Sequence, residues 1–305
     1  MVNPAPAVYE EAVRIGTLVP GSQKTHRYIE QILAHGFESF SITFWQSCEG
    51  IDLKALAADV KSVLAGTGVK ISTLGIFGNP LETRPKDLET RLGWEKCIDA
   101  AELFGCDIVD GFAGRLLDKK IDESLARYVE VFRPLAERAK AKGVRLAFEN
   151  CDMGGSWTHG DWNMAHAPDA WEMMFNAIPS ENIGLEWEPC HQMNSLIDPI
   201  PQLRKWVGKV FHIHGKDASI HWDVLKAHGL RGNKQWVFHR TPGFGDSNWT
   251  DIISILRSGG FTGSIDIEGW HDPVYRGELE MMGQVRGMQY LKGCRGGTFH
   301  PNPVV

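Results

Sequence analysis

A chain of 305 residues with a formal net charge of −6 and no basic cluster does not present the surface that nucleic acid requires. No apolar run approaches the ~18 residues of a membrane span. The opening "MVNPAPAVYEEAVRIG" lacks a basic region leading into an apolar core, so the expected compartment is the cytoplasm. Six scattered cysteines, at 48, 97, 106, 151, 190 and 294, form no C-x-x-C pair, which is the usage of reduced thiols rather than of a disulfide framework.

Along the chain, short β-type runs alternate with amphipathic segments of helical length. The strand candidates are "RIGTLV" (14–19), "FESFSIT" (37–43), "VKISTLGI" (69–76), "CDIVDGF" (106–112), "VRLAFEN" (144–150), "IGLEWEP" (183–189), "VFHIHGK" (210–216) and "GSIDIEG" (263–269). Among the helical patterns "DESLARYVEVFRPLAERAKAKG" (122–143) is the clearest, with Asp122 as N-cap and Gly143 as stop. Gly36, Gly68 and Gly105 likewise stand between a helical pattern and the next strand. Strict alternation implies a parallel sheet, and eight pairs in about 300 residues imply closure. The expected fold class is therefore α/β, a single (β/α)8 TIM barrel over residues 1–305 with irregular tails at 1–12 and 295–305. An open doubly wound sheet would want a glycine-rich phosphate turn after the first strand, and "VPGSQKT" supplies none. Two connections, 151–168 and 217–247, exceed ordinary length; both leave the C-terminal mouth, where such barrels build their sites.

Side chains alternate along a strand. In "VRLAFEN", Val144, Leu146 and Phe148 share the face toward the helices, and Arg145, Ala147 and Glu149 face the interior. The same parity turns Gly184, Glu186 and Glu188 inward, then His212 and His214 with Phe211 and Ile213 outward, then Ser264, Asp266 and Glu268 with Ile265 and Ile267 outward. Four successive strands thus each aim a ligand-type group inward near the C-terminal end: Glu149, Glu188, His214 and Glu268. Three carboxylates and one imidazole are a hard, oxygen-rich set that suits Mn²⁺, or Mg²⁺ or Co²⁺, better than structural zinc. Without a cation or raised pKa values, such acids repel one another in a water-poor cavity. One step deeper, Glu186, His212 and Asp266 form a buried polar layer that orients the ligands. A lone acid at a strand end is more often a cap or an ion-pair partner; the coincidence on neighbouring strands carries the reading.

At these residues the sequence resembles the xylose-isomerase-like superfamily of sugar isomerases and epimerases, over nearly the whole chain. The matching text is "FEN" at strand five, "EPCH" after strand six, "HGKD" on strand seven, "PGFG" further on, and "IEGW" on the last strand. The resemblance implies metal ligation by Glu149, Glu188, His214 and Glu268, a substrate-hydroxyl role for His191, and contact of His239 or Arg240 with the far end of the substrate. The strand-six ligand of that family is usually aspartate. Here it is Glu188, whose longer arm either shifts the metal across the barrel or coordinates differently. The implied activity is that of a divalent-metal-dependent sugar isomerase or epimerase working through a metal-stabilised enediolate. Glu149 and Glu268, on opposite faces of the substrate, would remove and return the proton, with His191 steadying a hydroxyl or shuttling a proton. Ketose 3-epimerases and inosose dehydratases share the superfamily. The alternative is therefore expulsion of a β-substituent, by a dehydratase or by a lyase of 3-oxo-glycosides, C-glycosides included.

Trp45, Trp157 and Trp270 are candidate substrate-facing rings, and Trp162, Trp222 and Trp236 also fall in the long loops; the plainer reading is that such rings close the loops. "HGKD" and "EGWHDP" add Lys216, Asp217, His271 and Asp272 near the mouth; Lys216 and Asp217 are weak candidates, a surface pair being the plainer reading, and Cys190 reads as a packed small side chain. A DNA-repair endonuclease on this barrel would want further histidines and a basic groove. A non-catalytic carbohydrate-binding barrel would have lost ligands, and none of the four is missing. The expected partner is a small carbohydrate, with neither nucleic acid nor membrane, and self-association into a homo-oligomer is left open.

Overall fold

The computed structural model describes residues 13–297, 300 and 303, so the tail expected at 1–12 lies outside the described residues. Eight parallel strands close into a barrel. They are β1 (Arg14–Pro20), β2 (Ser39–Trp45), β3 (Lys70–Phe77), β4 (Ile108–Gly111), β5 (Arg145–Glu149), β6 (Ile183–Trp187), β7 (Val210–Gly215) and, after a two-stranded excursion, β10 (Ser264–Ile267). β10 pairs with β1 to complete the ring, Arg14 opposite Ser264 and Thr17 opposite Ile267. The excursion is an antiparallel hairpin of β8 (Asp217–Ile220) and β9 (Val237–Arg240). Around the barrel run α1 (Thr25–Ile32), α2 (Leu53–Leu64), α3 (Pro85–Phe104), α4 (Ile121–Ala141), α5 (Pro168–Ala177), α6 (Pro189–Asn194), α7 (Pro199–Trp206), α8 (Trp222–His228), α9 (Trp249–Ser258) and α10 (Glu280–Arg295).

All eight expected barrel strands form, with ends shifted by one or two residues. The four glycines expected between helix and strand carry left-handed φ angles of +93°, +76°, +73° and +68° at Gly36, Gly68, Gly105 and Gly143. The start of α4 differs from expectation. Its N-cap is Lys120, whose backbone N–H donates to Glu123 Oε2 at 3.0 Å, and Asp122 lies inside the first turn. At the other end α10 continues through Arg295, which the expected tail had included; Arg295 donates to Val13 O at 2.8 Å and pairs with Glu38.

The main apolar core lies between strands and helices, where Leu146, Phe148, Leu185, Trp187, Ile213, Ile265 and Ile267 are buried as parity requires. Phe211 breaks the pattern. The β6–β7 ladder slips between Leu185 and Glu186, so Val210 and His212 pair with adjacent residues and Phe211 is left over. Expected to face the helices, Phe211 instead packs with Ile108 and Ala147 and lies under the Arg145 guanidinium at 5.0 Å, on the side reserved for inward residues. Gly184 makes this fit possible, because a Cβ there would come within 2.6 Å of the Phe211 ring. His212 and His214 keep their inward aim, since the slip precedes both.

Candidate metal and substrate site

Glu149 is the last residue of β5, and its carbonyl accepts from Asn163 Nδ2 at 2.8 Å. Glu188 follows β6 as the N-cap of α6, with Pro189 at the first helical position, where the missing N–H costs nothing. Asn150 clamps its peptide from both sides: Glu188 N donates to Asn150 Oδ1 at 2.7 Å, and Asn150 Nδ2 donates to Glu188 O at 2.8 Å. Glu268 stands one residue beyond β10. These three acids and His214 bring ligand atoms within 4.8 Å of one another, all buried.

His214 is the hub. Its Nδ1 lies 2.9 Å from Glu149 Oε1, 3.4 Å from Glu268 Oε2 and 3.5 Å from Glu188 Oε2, and its Nε2 lies 2.8 Å from Glu186 Oε1. Donor atoms at right angles on an octahedral ion with bonds of about 2.1 Å lie about 3 Å apart, so these spacings suit a divalent cation. Neither buried carboxylate oxygen of Glu188 receives a hydrogen bond of normal geometry, although Lys216 Nζ lies 3.0 Å and His191 Nε2 3.2 Å from Oε1, so lone pairs are left that a cation could take. Burial raises Glu149 above the usual carboxylate range and, with the Glu268 charge adding to it, carries Glu188 to about 8. Burial acts on Glu268 too, but the Lys216 ammonium and bonds from His214 and His271 hold its carboxyl well below that range.

Below the cluster, Glu186, His212 and Asp266 meet as expected. His212 Nδ1 is 2.6 Å from Glu186 Oε1 and its Nε2 is 2.7 Å from Asp266 Oδ2. Asp266 also accepts from Ser39 Oγ at 2.5 Å and from Ser72. Asp110, which the sequence reading passed over, joins this layer with its Oδ2 3.5 Å from His212 Nδ1. Burial and the neighbouring Glu186 push its carboxyl well above the usual carboxylate range. The parity test would have found it, since in "CDIVDGF" Asp110 lies opposite Val109.

Above the cluster opens a cavity of about 580 Å³ at the C-terminal mouth, walled by Glu149, His214, Glu268, His191, His239, Trp45 and Trp270 among others. Glu188 lies beneath this wall, fully buried. Of the two alternatives before "PGFG", His239 reaches the cavity. Arg240 does not: its Nε pairs with Asp272 Oδ2 at 3.1 Å. Trp157 is also a correction, packing against the main core instead of lining the cavity. The largest correction concerns Lys216. Expected near the mouth as a weak candidate, with a surface pair the plainer reading, it is only 2% exposed, with Nζ 2.7 Å from Glu268 Oε2, 3.0 Å from Glu188 Oε1 and 3.3 Å from His191 Nε2. Its supposed partner Asp217 turns away and accepts from Ser247 N at 3.0 Å and Trp249 Nε1 at 3.2 Å, pinning the hairpin to α9. His271, expected near the mouth, sets Nε2 3.0 Å from Glu268 Oε1. Among the described residues the six cysteines are free thiols, and no helix is long and apolar enough to cross a membrane.

Fold and site together define a parallel (β/α)8 barrel with a carboxylate–imidazole cluster that could hold a metal at its C-terminal mouth. The chain belongs to the xylose isomerase-like TIM barrel family, whose model matches residues 29–293. It is 23% identical to inosose dehydratase of Clostridium perfringens over 177 residues, covering 56% of this chain and 55% of that protein. The chain spans about half the length of the curated relatives it matches. Among solved structures, 3-keto-D-glucoside 4-epimerase from E. coli superposes with a TM-score of 0.67 at 16% identity, covering 92% of this chain and 100% of that one. A xylose isomerase-like TIM barrel protein from Mycobacterium smegmatis in complex with magnesium gives 0.66 at 16% identity, covering 94% and 98%. At such identities the structural likeness speaks for the fold alone.

Proposed function

We propose that this protein is a divalent-metal-dependent sugar isomerase or epimerase that moves a proton at the carbon next to a carbonyl. The observation that carries the reading is the convergence of Glu149, Glu188, His214 and Glu268 within 4.8 Å beneath a cavity open to small molecules. These four residues would hold the ion, Mn²⁺ first and Mg²⁺ or Co²⁺ as substitutes. When bound, the ion supplies Lewis-acid polarisation of a carbonyl oxygen.

The chain's own groups do the rest. Glu149 from β5 and Glu268 from β10 both line the cavity, and one removes the proton while the other returns it. Glu186 Oε1, 2.8 Å from the far nitrogen of His214, orients the ring electrostatically. Burial and the Lys216 charge keep His191 and His239 neutral, so each can donate to or accept from a substrate hydroxyl.

Lys216 also favours a second reading. An ammonium on the cavity wall beside Glu268 is a group that could protonate a departing oxygen, as a dehydratase or lyase of the same family would need. One experiment separates the two. The protein is loaded with Mn²⁺ and incubated in D₂O with ketoses, inososes and 3-oxo-glycosides, and products are read by NMR. Deuterium entering an intact sugar, lost in Glu268→Gln, supports isomerase or epimerase chemistry; release of water or an aglycone supports the lyase. No turnover and no exchange across the panel sinks both.

A further inference from the structure

We propose that Asn163, in the long connection after β5, is a positioning residue that aims two of the four cluster acids, Glu149 directly and Glu188 through Asn150. This rests on the metal-holding role proposed above for those acids and names the part that sets them in place.

The barrel ladder gives out where the cluster begins. The β4–β5 pairing ends with Gly111 opposite Phe148, so on that side Glu149 has no strand partner. Asn163 supplies the missing bonds. It is fully buried, and its Nδ2 donates to Glu149 O and to Cys151 O, both at 2.8 Å. Its Oδ1 accepts from Ala113 N and Ala165 N, both at 3.1 Å. The two carbonyls can only accept and the two N–H groups can only donate, so the amide sits one way round.

The peptide held in this way carries more than Glu149. Glu149 O and the Asn150 N–H belong to one planar unit. Asn150 in turn clamps the Glu188 peptide with both of its side-chain groups, at 2.7 and 2.8 Å. A tilt of the peptide between Glu149 and Asn150 therefore moves Glu149 and Glu188 together. Among ligand atoms that all lie within 4.8 Å of one another, a displacement of about 1 Å is enough to spoil the spacing.

The rest of the connection is built as a frame for this contact. Asn79, also buried, donates to Arg115 O and Asp161 Oδ1, both at 2.6 Å, and accepts from Arg115 N at 2.9 Å and Leu81 N at 3.1 Å. The buried Arg115 guanidinium donates to Lys119 O at 2.6 Å, to Trp157 O at 3.1 Å and to Ser156 O. Asp161 takes Arg84 at 2.6 and 3.0 Å and the Trp162 N–H at 2.7 Å, and Asn163 is the next residue. Segments that open and close during turnover come from the weakly held parts of a structure. This one is pinned by buried bonds along its length, so it presents Asn163 at a fixed place.

The two asparagines supply the control. Each is buried and each braces the same connection, but no partner of Asn79 is a cluster acid or the sequence neighbour of one. Mn²⁺ alone is titrated by calorimetry into chelator-treated parent, Asn163→Ala, Asn163→Asp and Asn79→Ala, and each is melted without metal. Asn163→Asp keeps the two accepted bonds and loses only the donating amide, so it serves where the alanine variant does not fold; circular dichroism verifies the fold of each. Both Asn163 variants should bind Mn²⁺ about 10–100-fold more weakly, whereas Asn79→Ala should melt lower and keep the parent's affinity. Affinity that falls in step with melting temperature across all the variants would mark a merely structural brace and overturn the proposal. So would the parent's affinity in folded Asn163→Asp, which leaves the metal reading standing and removes only the role of Asn163. A parent that binds no Mn²⁺ overturns the metal reading itself, and this inference with it.

Discussion

Replacing Lys216 with methionine should make the protein bind metal more tightly and catalyse more poorly, a pair of effects with opposite signs. Methionine keeps the length of the side chain and removes its charge. In the parent, Nζ sits 3.0 Å from Glu188 and 2.7 Å from Glu268, two members of the cluster. At an effective dielectric of ~20 the contact with the ionised Glu268 is worth about 6 kcal/mol of gross attraction, and Glu188, raised to about 8, adds less because much of it is protonated at neutral pH. Desolvation consumes most of that, and losing one partner of a buried ion pair costs about 3–5 kcal/mol net. For a chain of 305 residues that cost lowers the melting temperature of metal-free protein by roughly 5–8 °C.

A divalent cation restores the missing positive charge and no longer faces an ammonium across the same carboxylates. Recovering even a fraction of the lost 3–5 kcal/mol tightens Mn²⁺ binding tenfold or more, because a factor of ten needs only about 1.4 kcal/mol. Calorimetric titration of Mn²⁺ into chelator-treated parent and variant measures the affinity, and a thermal melt with and without metal measures the stability. Deuterium exchange should fall at the same time, since Glu268 loses the ammonium that holds its carboxylate in place 2.7 Å away. If the variant bound Mn²⁺ more weakly than the parent, or melted at the same temperature without metal, the electrostatic account of the cluster would be refuted.

Three further outcomes follow from the layers beneath. Burial alone would lower the His212 pKa, but Asp266 and Glu186 raise it from 6.5 to about 9, so the stability it contributes is complete below about 6.5 and disappears as pH rises through 9. Urea midpoints of metal-free protein should therefore decline over that window, by at most about 3 kcal/mol, and His212→Gln should flatten the decline. Asn150→Ala frees the peptide of Glu188 and should weaken Mn²⁺ binding about 10–100-fold at nearly unchanged helicity; an unchanged affinity would show that the clamp is dispensable. Phe211→Ala empties the floor of the barrel and should cost about 3–5 kcal/mol in chemical denaturation, whereas a side chain facing only the helices' solvent edge would cost far less.

The parity of strands explains what could be read in advance and what could not. Side chains alternate with a period of two and hydrogen bonding fixes the register, so "FEN", "EWEP", "HIH" and "DIE" were enough to bring Glu149, Glu188, His214 and Glu268 to one point and to set Glu186, His212 and Asp266 below them. The same rule fails wherever the ladder changes step, and a single slip opposite Leu185 turned Phe211 inward with no mark in the local text. The burial of Lys216 against the cluster is not legible in the sequence for a related reason. Its N–H bonds to His214 O at 3.0 Å, a tight bend at Gly215 that ends the parallel strand and starts the antiparallel hairpin, so strand parity no longer predicts its direction. A hydrophilic pair such as Lys216–Asp217 looks like surface in any one-dimensional reading. Only the burial of both, one against the acids of the cluster and the other against Ser247 and Trp249, reveals that the bend exists to point the ammonium into the cavity and the carboxylate away from it.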